Sequence, residues 1–586
     1  MSQADTPPPA WLALGALLTP EGSLGELFRQ ALPPLPALVT APASLARAAL
    51  GDPERYRNLV EELYRRQWAL WTGLATHPAA PGSQTLDTLP WFRAVREQHD
   101  IWRAWVVGLV PLLGTGDAES RRAGFLLRQW VEATDPRNFF LTNPEAVVRA
   151  AQTQGESVRR GLAHLARDIA LGRISMSDET AFRVGHNLAT TPGAVVHECA
   201  ICQLIRYRPT TPTVSASPLL VIPPFINRFY VLDLQPHNSL VRYALAQGRE
   251  VFMVSWRSAC AENADATWSD YVRHGVLETA GVTLDLTRAP ALHLLGYCVG
   301  GTLAATGAAV LSARTPAKLA SFTLLNTLLD FTDPGEIGVY LQPATEETPP
   351  PGDPVMSGAR LAAAFASLRA RELIWHFVTH NYLLGDTPPP VDLLHWNGDA
   401  ADIPAPMFRQ YLRDMYRDNR LREPGALAVD DTPVDLRTIR APSYVLASEA
   451  DHIVPWRSAY ASACCLGSDV RFVLSQGGHI AGVVNPPDGG KPRGHRTGDP
   501  PSIANPPEQW FDAARYRAGS WWPDWTRWLA AHEPLARRPN PRQLGNRRHP
   551  VIEPAPGRYV LEAAGALRPV PRANGFSNEG EELQHD

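Results

Sequence analysis

The sequence predicts an α/β protein in which an all-helical N-terminal region precedes a parallel sheet with helices on both faces. Three observations predict it. Apolar residues at three- and four-residue spacing run from about residue 53 to about residue 190. From near Thr210, short apolar runs alternate with helical stretches, which is typical of a parallel sheet. A long insertion separates the fourth apolar run from the fifth, and we expect it to cap the sheet.

The length of 586 residues allows two to four domains at roughly 100–200 residues each. We expect a poorly patterned segment over 1–50, a helical domain over 51–195 and a sheet domain over 196–586, with the cap insertion at about 326–440. The predicted strands are 217–224, Glu250–Trp256, Ala291–Gly296, Ser321–Leu325, Ala441–Ser448 and Asp469–Ser475. A second loop-rich stretch is predicted over Asn485–Pro507.

Composition excludes several classes of protein. With 55 Lys+Arg against 59 Asp+Glu the net charge is −4, so a bulk electrostatic nucleic-acid binder is not expected. Six cysteines are too few for a disulfide framework and indicate a reducing compartment. The apolar run Trp11–Leu18 lacks a preceding basic residue, and no apolar stretch is long enough for a membrane span. We expect a protein without a secretory signal or transmembrane segment.

The strongest chemical signal is an apolar strand that runs into Gly296-Tyr297-Cys298-Val299-Gly300 and then into a small-residue helix. This is the nucleophile-elbow pattern of α/β-hydrolase folds, with Cys298 in the place of serine. The helix N-terminus after Cys298 favours thiolate, and the backbone N–H of Val299 is a candidate oxyanion donor. A structural cysteine in a glycine-rich turn is the alternative. A dinucleotide-binding loop would need G-x-G-x-x-G, which is absent here.

The partners of such a nucleophile follow it in the order acid, then histidine. Asp451 comes just after the fifth predicted strand, and His479 follows the sixth behind two glycines. We therefore predict a Cys298–Asp451–His479 triad in which His479 is the general base and Asp451 orients it. Glu449 and Asp330 are the competing acids.

Other candidates remain open or point to structural roles. His452 either supports the triad from behind or is merely structural. The N–H of Ile226, after the first predicted strand, is the candidate second oxyanion donor. Cys199-x-x-Cys202 resembles half a zinc site, but no second ligand pair follows, so we expect structural cysteines in a helix and no metal site. Cys464 and Cys465 are expected in the core.

Taken together, these motifs resemble those of the polyhydroxyalkanoate synthases, over roughly residues 50–565. The resemblance is carried by GYCVGGT, SEADHIVPW, GGHIAGVVNPP, PPFINRFYVLDL, NYLLGDTPPPVDLLHWNGD and GSWWPDW, and upstream by NFFLTNPEAVVRAAQ and ISMSDETAFRV. Dienelactone hydrolases share the elbow, but they are much smaller and lack the helical region and the cap. A single long chain is similar to the family type that works without a second kind of subunit and prefers short-chain monomers.

The resemblance implies an α/β-hydrolase fold and a polymerase of (R)-3-hydroxyacyl-CoA, typically 3-hydroxybutyryl-CoA, that releases CoA and makes polyester. It implies Cys298 as the acyl carrier, His479 as base, Asp451 as its partner, and Val299 and Ile226 as oxyanion donors. It implies no cofactor, since the CoA thioester is the substrate. It also implies a cytoplasmic homodimer on the polyester granule surface.

Two alternatives stay open at the level of the sequence. A Cys-dependent hydrolase or thioesterase of the same fold would use the same triad with water as acceptor. A granule-coating protein without turnover would need an exposed apolar surface, which the Pro- and Trp-rich flanks could supply.

Overall fold

The computed structural model describes residues 50–76, 89–113, 118–340, 349, 352–488, 493–533 and 536–565. The segment predicted as poorly patterned, 1–50, lies outside these ranges except for Leu50, as does most of the proline-rich stretch 343–354. Within the described ranges, none of the helices combines the length and the apolar character that crossing a bilayer requires.

An eleven-stranded mixed sheet forms the centre of the molecule, in the spatial order β10-β9-β8-β7-β6-β5-β3-β4-β2-β1-β11. The strands are β1 Gly193–Glu198, β2 Cys202–Tyr207, β3 Leu219–Ile222, β4 Val251–Trp256, β5 Leu292–Tyr297, β6 Leu319–Leu325, β7 Ser443–Ser448, β8 Val470–Ser475, β9 His495–Thr497, β10 Arg515–Arg517 and β11 Glu553–Pro554. Two-residue ladders pair Thr213–Val214 with Arg538–Pro539, Val355–Met356 with Ile403–Pro404, and Ala428–Val429 with Thr432–Pro433.

All six predicted strands are present, and they are the six parallel strands β3 to β8. The five outer strands are antiparallel and were not predicted. The sheet therefore begins at Gly193, before the expected change near Thr210, and β9 lies inside the predicted loop Asn485–Pro507. The outer strands escape the pattern because they are two or three residues long or carry polar residues among the apolar ones.

Helices cover the sheet and form the N-terminal region. The α-helices are α1 Pro53–Thr76, α2 Pro90–Leu109, α3 Ala118–Ala133, α4 Pro144–Gln152, α5 Glu156–Leu171, α6 Leu240–Ala246, α7 Trp268–Asp270, α8 Thr279–Thr287, α9 Val299–Arg314, α10 Gly358–Ser367, α11 Asp392–Asn397, α12 Ala405–Tyr411, α13 Trp456–Ala463, α14 Pro507–Ala513 and α15 Trp522–Ala531. Wider π-helical turns occupy Tyr271–Glu278, Arg371–Trp375, Val378–Leu383 and Leu412–Arg417. Short 3₁₀ turns occupy Val110–Leu113, Pro136–Asn138, Phe140–Thr142, Phe229–Leu232, Pro316–Lys318, Gly335–Tyr340, Arg420–Arg422, Leu436–Thr438 and Tyr559–Leu561.

The N-terminal helices contact the cap insertion. The side-chain amide of Gln129 donates to the carbonyl of Ser367 at 2.7 Å, and the hydroxyl of Tyr382 donates to the buried carboxylate of Asp168 at 2.6 Å. At Gly161 in α5, an added Cβ would lie 2.0 Å from the carbonyl oxygen of Tyr382. Backbone therefore packs against backbone at this crossing, which only glycine permits.

A fully buried carboxylate ties the C-terminal segment to the sheet. Glu250, 0% exposed, accepts a hydrogen bond at 2.8 Å from Nε of Arg206, which is itself 2% exposed. Arg538 contacts the other oxygen of the same carboxylate. Arg206 also donates to the carbonyl of Leu544. These contacts satisfy charges that would be costly to bury alone.

The turn at Cys199 and Cys202 corrects one prediction. The sequence predicts a helix there, but the structure has the hairpin turn between β1 and β2. Cross-strand pairing of Glu198 with Gln203 leaves the two cysteines at the base of the turn. Residues 194–205 are a mainly apolar run with few polar residues, and in such a short run periodicity alone does not distinguish a buried strand from a helical segment.

Candidate active site

Cys298 lies in a sharp turn between β5 and α9. Its backbone has φ 54° and ψ −129°, a conformation that is strained for a residue with a side chain. The turn also brings backbones close together. A Cβ on Gly296 would lie 2.5 Å from Cα of Gly301, and one on Gly300 would lie 2.2 Å from the carbonyl oxygen of Pro223. The glycines of the elbow are therefore required by close packing.

The first N–H groups of α9 face the Cys298 site. Cys298 is the residue before the helix, and its own carbonyl accepts from N–H of Gly301 at 2.9 Å. Val299 opens the helix and lines the same cavity as the thiol. The positive end of the helix dipole favours negative charge that develops on an atom at this position.

Asp451 and His479 meet at the carboxyl end of the sheet. Nδ1 of His479 lies 2.7 Å from Oδ2 of Asp451. The other carboxylate oxygen of Asp451 accepts from the backbone N–H groups of Ile453 at 2.8 Å and Val454 at 2.9 Å. Three hydrogen-bond partners thus fix the carboxylate of Asp451. The carboxylate in turn orients the imidazole of His479 through Nδ1, so that Nε2 does not contact Asp451.

The charge on the imidazole is set by opposing effects. Burial lowers the pKa of His479, but Asp451 and Cys298 raise it, and the net result lies well above the ordinary value. Cys298 is therefore close enough to act on the imidazole. A protonated imidazole is stabilised here, which is the state that follows removal of the proton from the thiol.

The loop that carries His479 is held by side chains outside the predicted set. The ring of Tyr297 stacks on that of His479 with centroids 5.6 Å apart, and its hydroxyl donates to the backbone carbonyl of His479 at 3.2 Å. The amide of Asn326 donates to the same carbonyl at 2.7 Å. Tyr297 lies inside the elbow motif and Asn326 directly follows β6, so strand-end position was the signal that could have identified them.

Two buried tryptophans fix the far side of this loop. The indole N–H of Trp521 donates to the carbonyl of Gly482 at 2.9 Å, and that of Trp522 donates to the carbonyl of Val483 at 2.9 Å. Both rings are almost fully buried. The structure thus has this pair in the core, where it supports the histidine loop.

The competing acids lie elsewhere. Glu449 is exposed, and Asp330 accepts from Asn419 at 2.8 Å and pairs with Arg422 at 3.1 Å. His452 lies beside the dyad, where burial and the nearby Arg369 lower its pKa to about 4. It is therefore neutral at ordinary pH, and its Nδ1 has no hydrogen-bond partner among the described residues.

The loop with Ile226 is fixed between the sheet and the cap. The indole N–H of Trp256 donates to the carbonyl of Pro223 at 2.8 Å, and the carbonyl of Ile226 accepts from N–H of Ala401 at 2.9 Å. Ile226 and Val299 both line the cavity that contains Cys298. Both candidate oxyanion residues therefore border the same cavity as the thiol.

The cavity at Cys298 has a volume of about 300 Å³ and is walled mainly by apolar cap residues. Leu361 and Phe365 of α10 and Phe408 of α12 contribute to the wall. Of the described residues that line it, Arg360 alone carries a charge. A short acyl chain fits such a space, and a mainly apolar wall keeps water away from it.

Neither Cys199–Cys202 nor Cys464–Cys465 belongs to this site. Cys464 and Cys465 pack partly buried against the core, and burial raises their pKa values to about 11 and about 12. Within the described part of the chain, no group of three or more His, Cys, Asp or Glu is arranged to hold a metal ion.

Comparison with known sequences gives two matching profiles. The profile described as the poly-beta-hydroxybutyrate polymerase (PhaC) N-terminus matches residues 83–244. The profile of the alpha/beta hydrolase fold matches residues 218–486, which include the whole run from β3 to β8. The predicted fold class, an α/β-hydrolase fold with a helical region before it, is confirmed.

The comparison also finds a similar solved structure and relatives that cover most of the chain. A solved monoacylglycerol lipase from Paleococcus ferrophilus is 14% identical with a TM-score of 0.31, covering 56% of this chain and 99% of the lipase. The poly(3-hydroxyalkanoate) polymerase subunit PhaC of Cupriavidus necator is 41% identical, covering 95% of each chain. The protein of the same name from Rhizobium etli is 34% identical, covering 94% of this chain and 90% of the relative. The identity and coverage of the two PhaC relatives show that the chain belongs to the poly(3-hydroxyalkanoate) polymerase family.

Proposed function

We propose that this chain polymerises (R)-3-hydroxyacyl-CoA, typically 3-hydroxybutyryl-CoA, into polyester through a covalent acyl-enzyme on Cys298. One observation carries the proposal. Cys298 lies in a strained turn at an apolar cavity of about 300 Å³, beside an imidazole that a fixed carboxylate orients. A thiol suits this substrate, because a thioester exchanges onto thiolate and keeps its acyl group activated.

In the acylation step His479 takes the proton of Cys298, and the thiolate attacks the thioester carbonyl. The N–H groups of Val299 and Ile226 stabilise the oxyanion of the tetrahedral intermediate. The carbon–sulfur bond to CoA then breaks, and His479 returns the proton to the leaving CoA thiolate. Asp451 keeps the imidazole oriented and stabilises its protonated form through both transfers.

In the elongation step the incoming nucleophile is a hydroxyl group of a second hydroxyacyl unit. His479 takes the hydroxyl proton, the oxygen attacks the Cys298 thioester, and the new ester bond forms as the thiol leaves with that proton. The cap walls support this outcome over hydrolysis, since Leu361, Phe365 and Phe408 exclude water from the acyl group. No resident cofactor is needed, because the thioester supplies the activation.

We further propose that the enzyme works as a homodimer in the cytoplasm, on the surface of its own polyester granule. Exposed aromatic side chains support attachment to an apolar polymer. Trp68 and Trp71 of α1 are 75% and 64% exposed, and Trp91 of α2 is 61% exposed. Large exposed aromatic side chains on two helices that contact each other support an interaction surface here.

Incubation of the purified protein with (R)-3-hydroxybutyryl-CoA tests the function. We expect free thiol to appear together with insoluble polyester. Free thiol with soluble 3-hydroxybutyrate would instead identify a thioesterase of the same fold. Absence of CoA release with this monomer and with a longer-chain hydroxyacyl-CoA would contradict catalysis and favour a granule-coating protein.

Cys298→Ala should abolish CoA release and leave the melting temperature nearly unchanged, since the side chain is small and partly accessible. Cys464→Ala is the matched control, because that thiol lies away from the cavity. Loss of CoA release in the control as well would contradict the assignment of Cys298.

A further inference from the structure

The hairpin between β1 and β2 places two cysteine thiols side by side. Sγ of Cys199 and Sγ of Cys202 are 3.7 Å apart, and N–H of Cys199 donates to the carbonyl of Cys202 at 2.9 Å. Only Ala200 and Ile201 separate them, so the backbone already holds the pair together. A small rotation of the side chains would bring the sulfur atoms to bonding distance.

The turn that carries the pair is fixed by contacts from three directions. The hydroxyl of Tyr559 donates to the carbonyl of Cys199 at 3.0 Å, and N–H of Arg257 donates to the carbonyl of Ile201 at 2.9 Å. The amide of Asn263 donates to the carbonyl of Ala200 at 3.2 Å. A turn with its carbonyls satisfied in this way keeps both thiols in place, which raises their effective concentration for each other.

The two thiols differ in access and in acidity. Cys199 is partly exposed beside the exposed Ala200, whereas Cys202 is 0% exposed. A hydrogen bond from Cys202 and backbone N–H groups of the turn lower the pKa of Cys199 to about 6, although burial opposes this. For Cys202, its interaction with Cys199 and its burial raise the pKa. This asymmetry is typical of C-x-x-C pairs in which one thiol attacks and the other resolves.

We propose that Cys199 and Cys202 form a reversible intramolecular disulfide, a redox site separate from the polymerase centre, with a low-molecular-weight disulfide such as oxidised glutathione as oxidant. The site is independent of the function proposed above. It makes use of a hairpin pair that neither the catalytic chemistry nor a metal site accounts for.

The exchange balances in two steps. The Cys199 thiolate attacks one sulfur of oxidised glutathione, the glutathione disulfide bond breaks, and one glutathione thiolate leaves and takes up a proton. Cys202 then loses its proton and attacks Sγ of Cys199, which releases the second glutathione. Two protein thiols are oxidised to one disulfide and one glutathione disulfide is reduced to two thiols. Excess reduced glutathione reverses both steps.

The disulfide would form on the strand next to the oxyanion loop. Cys202 pairs in register with Trp256, and the indole of Trp256 donates to the carbonyl of Pro223 at 2.8 Å. The cysteine pair is therefore connected to the loop that carries Ile226 through Trp256, by the strand pairing and by the indole hydrogen bond. Since the Cys298 thiol can itself react with oxidants, activity cannot report on this site, and a residue-resolved measurement is needed.

The test uses the full-length protein, equilibrated in glutathione buffers from fully reduced to mainly oxidised, quenched with acid and then alkylated in denaturant so that the buried Cys202 is also reached. Trypsin cleavage after Arg183 and Arg206 gives one peptide that contains both cysteines, while Cys298 and the Cys464–Cys465 pair fall in other peptides. We expect the 184–206 peptide to change from doubly alkylated to unalkylated and two hydrogens lighter as the buffer becomes oxidising. Dithiothreitol should restore full alkylation.

Cys202→Ser is the diagnostic variant, because it removes the resolving thiol and leaves the attacking one. Cys199 should then retain a glutathionyl adduct that the wild type does not accumulate, and circular dichroism should match the wild type. Double alkylation of the wild-type 184–206 peptide in the most oxidising buffer would overturn the proposal. So would a Cys202→Ser protein in which Cys199 stays unmodified.

Discussion

Replacement of Gly300 by alanine tests how the elbow supports the proposed oxyanion loop. The new Cβ would lie 2.2 Å from the carbonyl oxygen of Pro223 and 2.6 Å from that of Ile222. Real Cβ atoms keep at least 3.0–3.4 Å from such atoms, so the loop must move away by about 1 Å. Because the contact atoms are backbone, no side-chain rotation can relieve it, and the movement shifts Ile226 with the loop.

Two magnitudes follow from this displacement. Overpacking of a buried backbone contact costs about 1–3 kcal/mol of unfolding free energy. Loss of one oxyanion donor lowers kcat by about 10²–10³-fold, or roughly 3–4 kcal/mol of transition-state stabilisation. We therefore expect Gly300→Ala to lower CoA release far more than it lowers the folded fraction, with KM for the hydroxyacyl-CoA affected less than kcat.

Steady-state CoA release and chemical unfolding, measured on the same preparations, check this expectation. Gly281→Ala in α8 is the matched control, because no atom lies within 4 Å of its added Cβ. A helical Gly→Ala change without contacts should be neutral or stabilise by about 0.5–1 kcal/mol, with wild-type turnover. A Gly300→Ala protein that is destabilised but keeps wild-type kcat would refute the assignment of Ile226 as an oxyanion donor.

Three further predictions concern the dyad and the buried charges. Asp451→Asn should lower single-turnover CoA release by about 10²–10⁴-fold, because its NH₂ cannot accept from Nδ1–H of His479 and holds the wrong tautomer. The pKa of His452 is about 4 in the folded chain, below the ordinary value of 6.5. The stability that the neutral imidazole contributes is therefore complete above pH 6.5 and is lost as the pH falls towards 4. The melting temperature of His452→Gln should depend less on pH in that window than that of the wild type. Glu250→Ala should cost about 3–5 kcal/mol in urea unfolding, because Arg206 is left buried without its partner.

Each of these has an outcome that contradicts it. Unchanged CoA release in Asp451→Asn would contradict the assignment of Asp451 as the acid that orients His479. If the melting temperatures of His452→Gln and the wild type fall equally as the pH falls, the His452 imidazole is not the cause of the loss of stability in acid. For the Glu250–Arg206 ion pair the control is Glu61→Ala. Glu61 forms an exposed salt bridge with Arg57, with Oε1 3.9 Å from Nε, which should contribute less than about 0.5 kcal/mol. A similar loss of unfolding free energy in both variants would show that burial does not determine the cost.

The sequence was most informative where one physical requirement dominates. The parallel strands β3 to β8 are buried on both faces and read as short apolar runs, so all six could be predicted. Cys298, Asp451 and His479 could be selected because each follows the end of such a strand, and the structure brings Asp451 to 2.7 Å from His479. Their catalytic roles remain predictions for the mutants above.

What could not be predicted depends on contacts between distant segments. Asn326 and Trp522 support the histidine loop through backbone carbonyls, and no local pattern reports a bond that spans such separations. The short outer strands and the Cys199–Cys202 hairpin have no periodic signal of their own, because neighbouring strands define them. Tertiary pairing determined these elements, and local propensity did not.

The contacts of the N-terminal helices have a mechanical consequence for the cap. Gln129 is bound to Ser367, Asp168 to Tyr382, and α5 packs on the backbone of the cap at Gly161. The cap must open to admit a CoA thioester or to release polymer. When it opens, the helical region must either move with the cap as one rigid body or lose these contacts. Any restraint on the N-terminal helices would therefore also restrain the opening of the cap over Cys298.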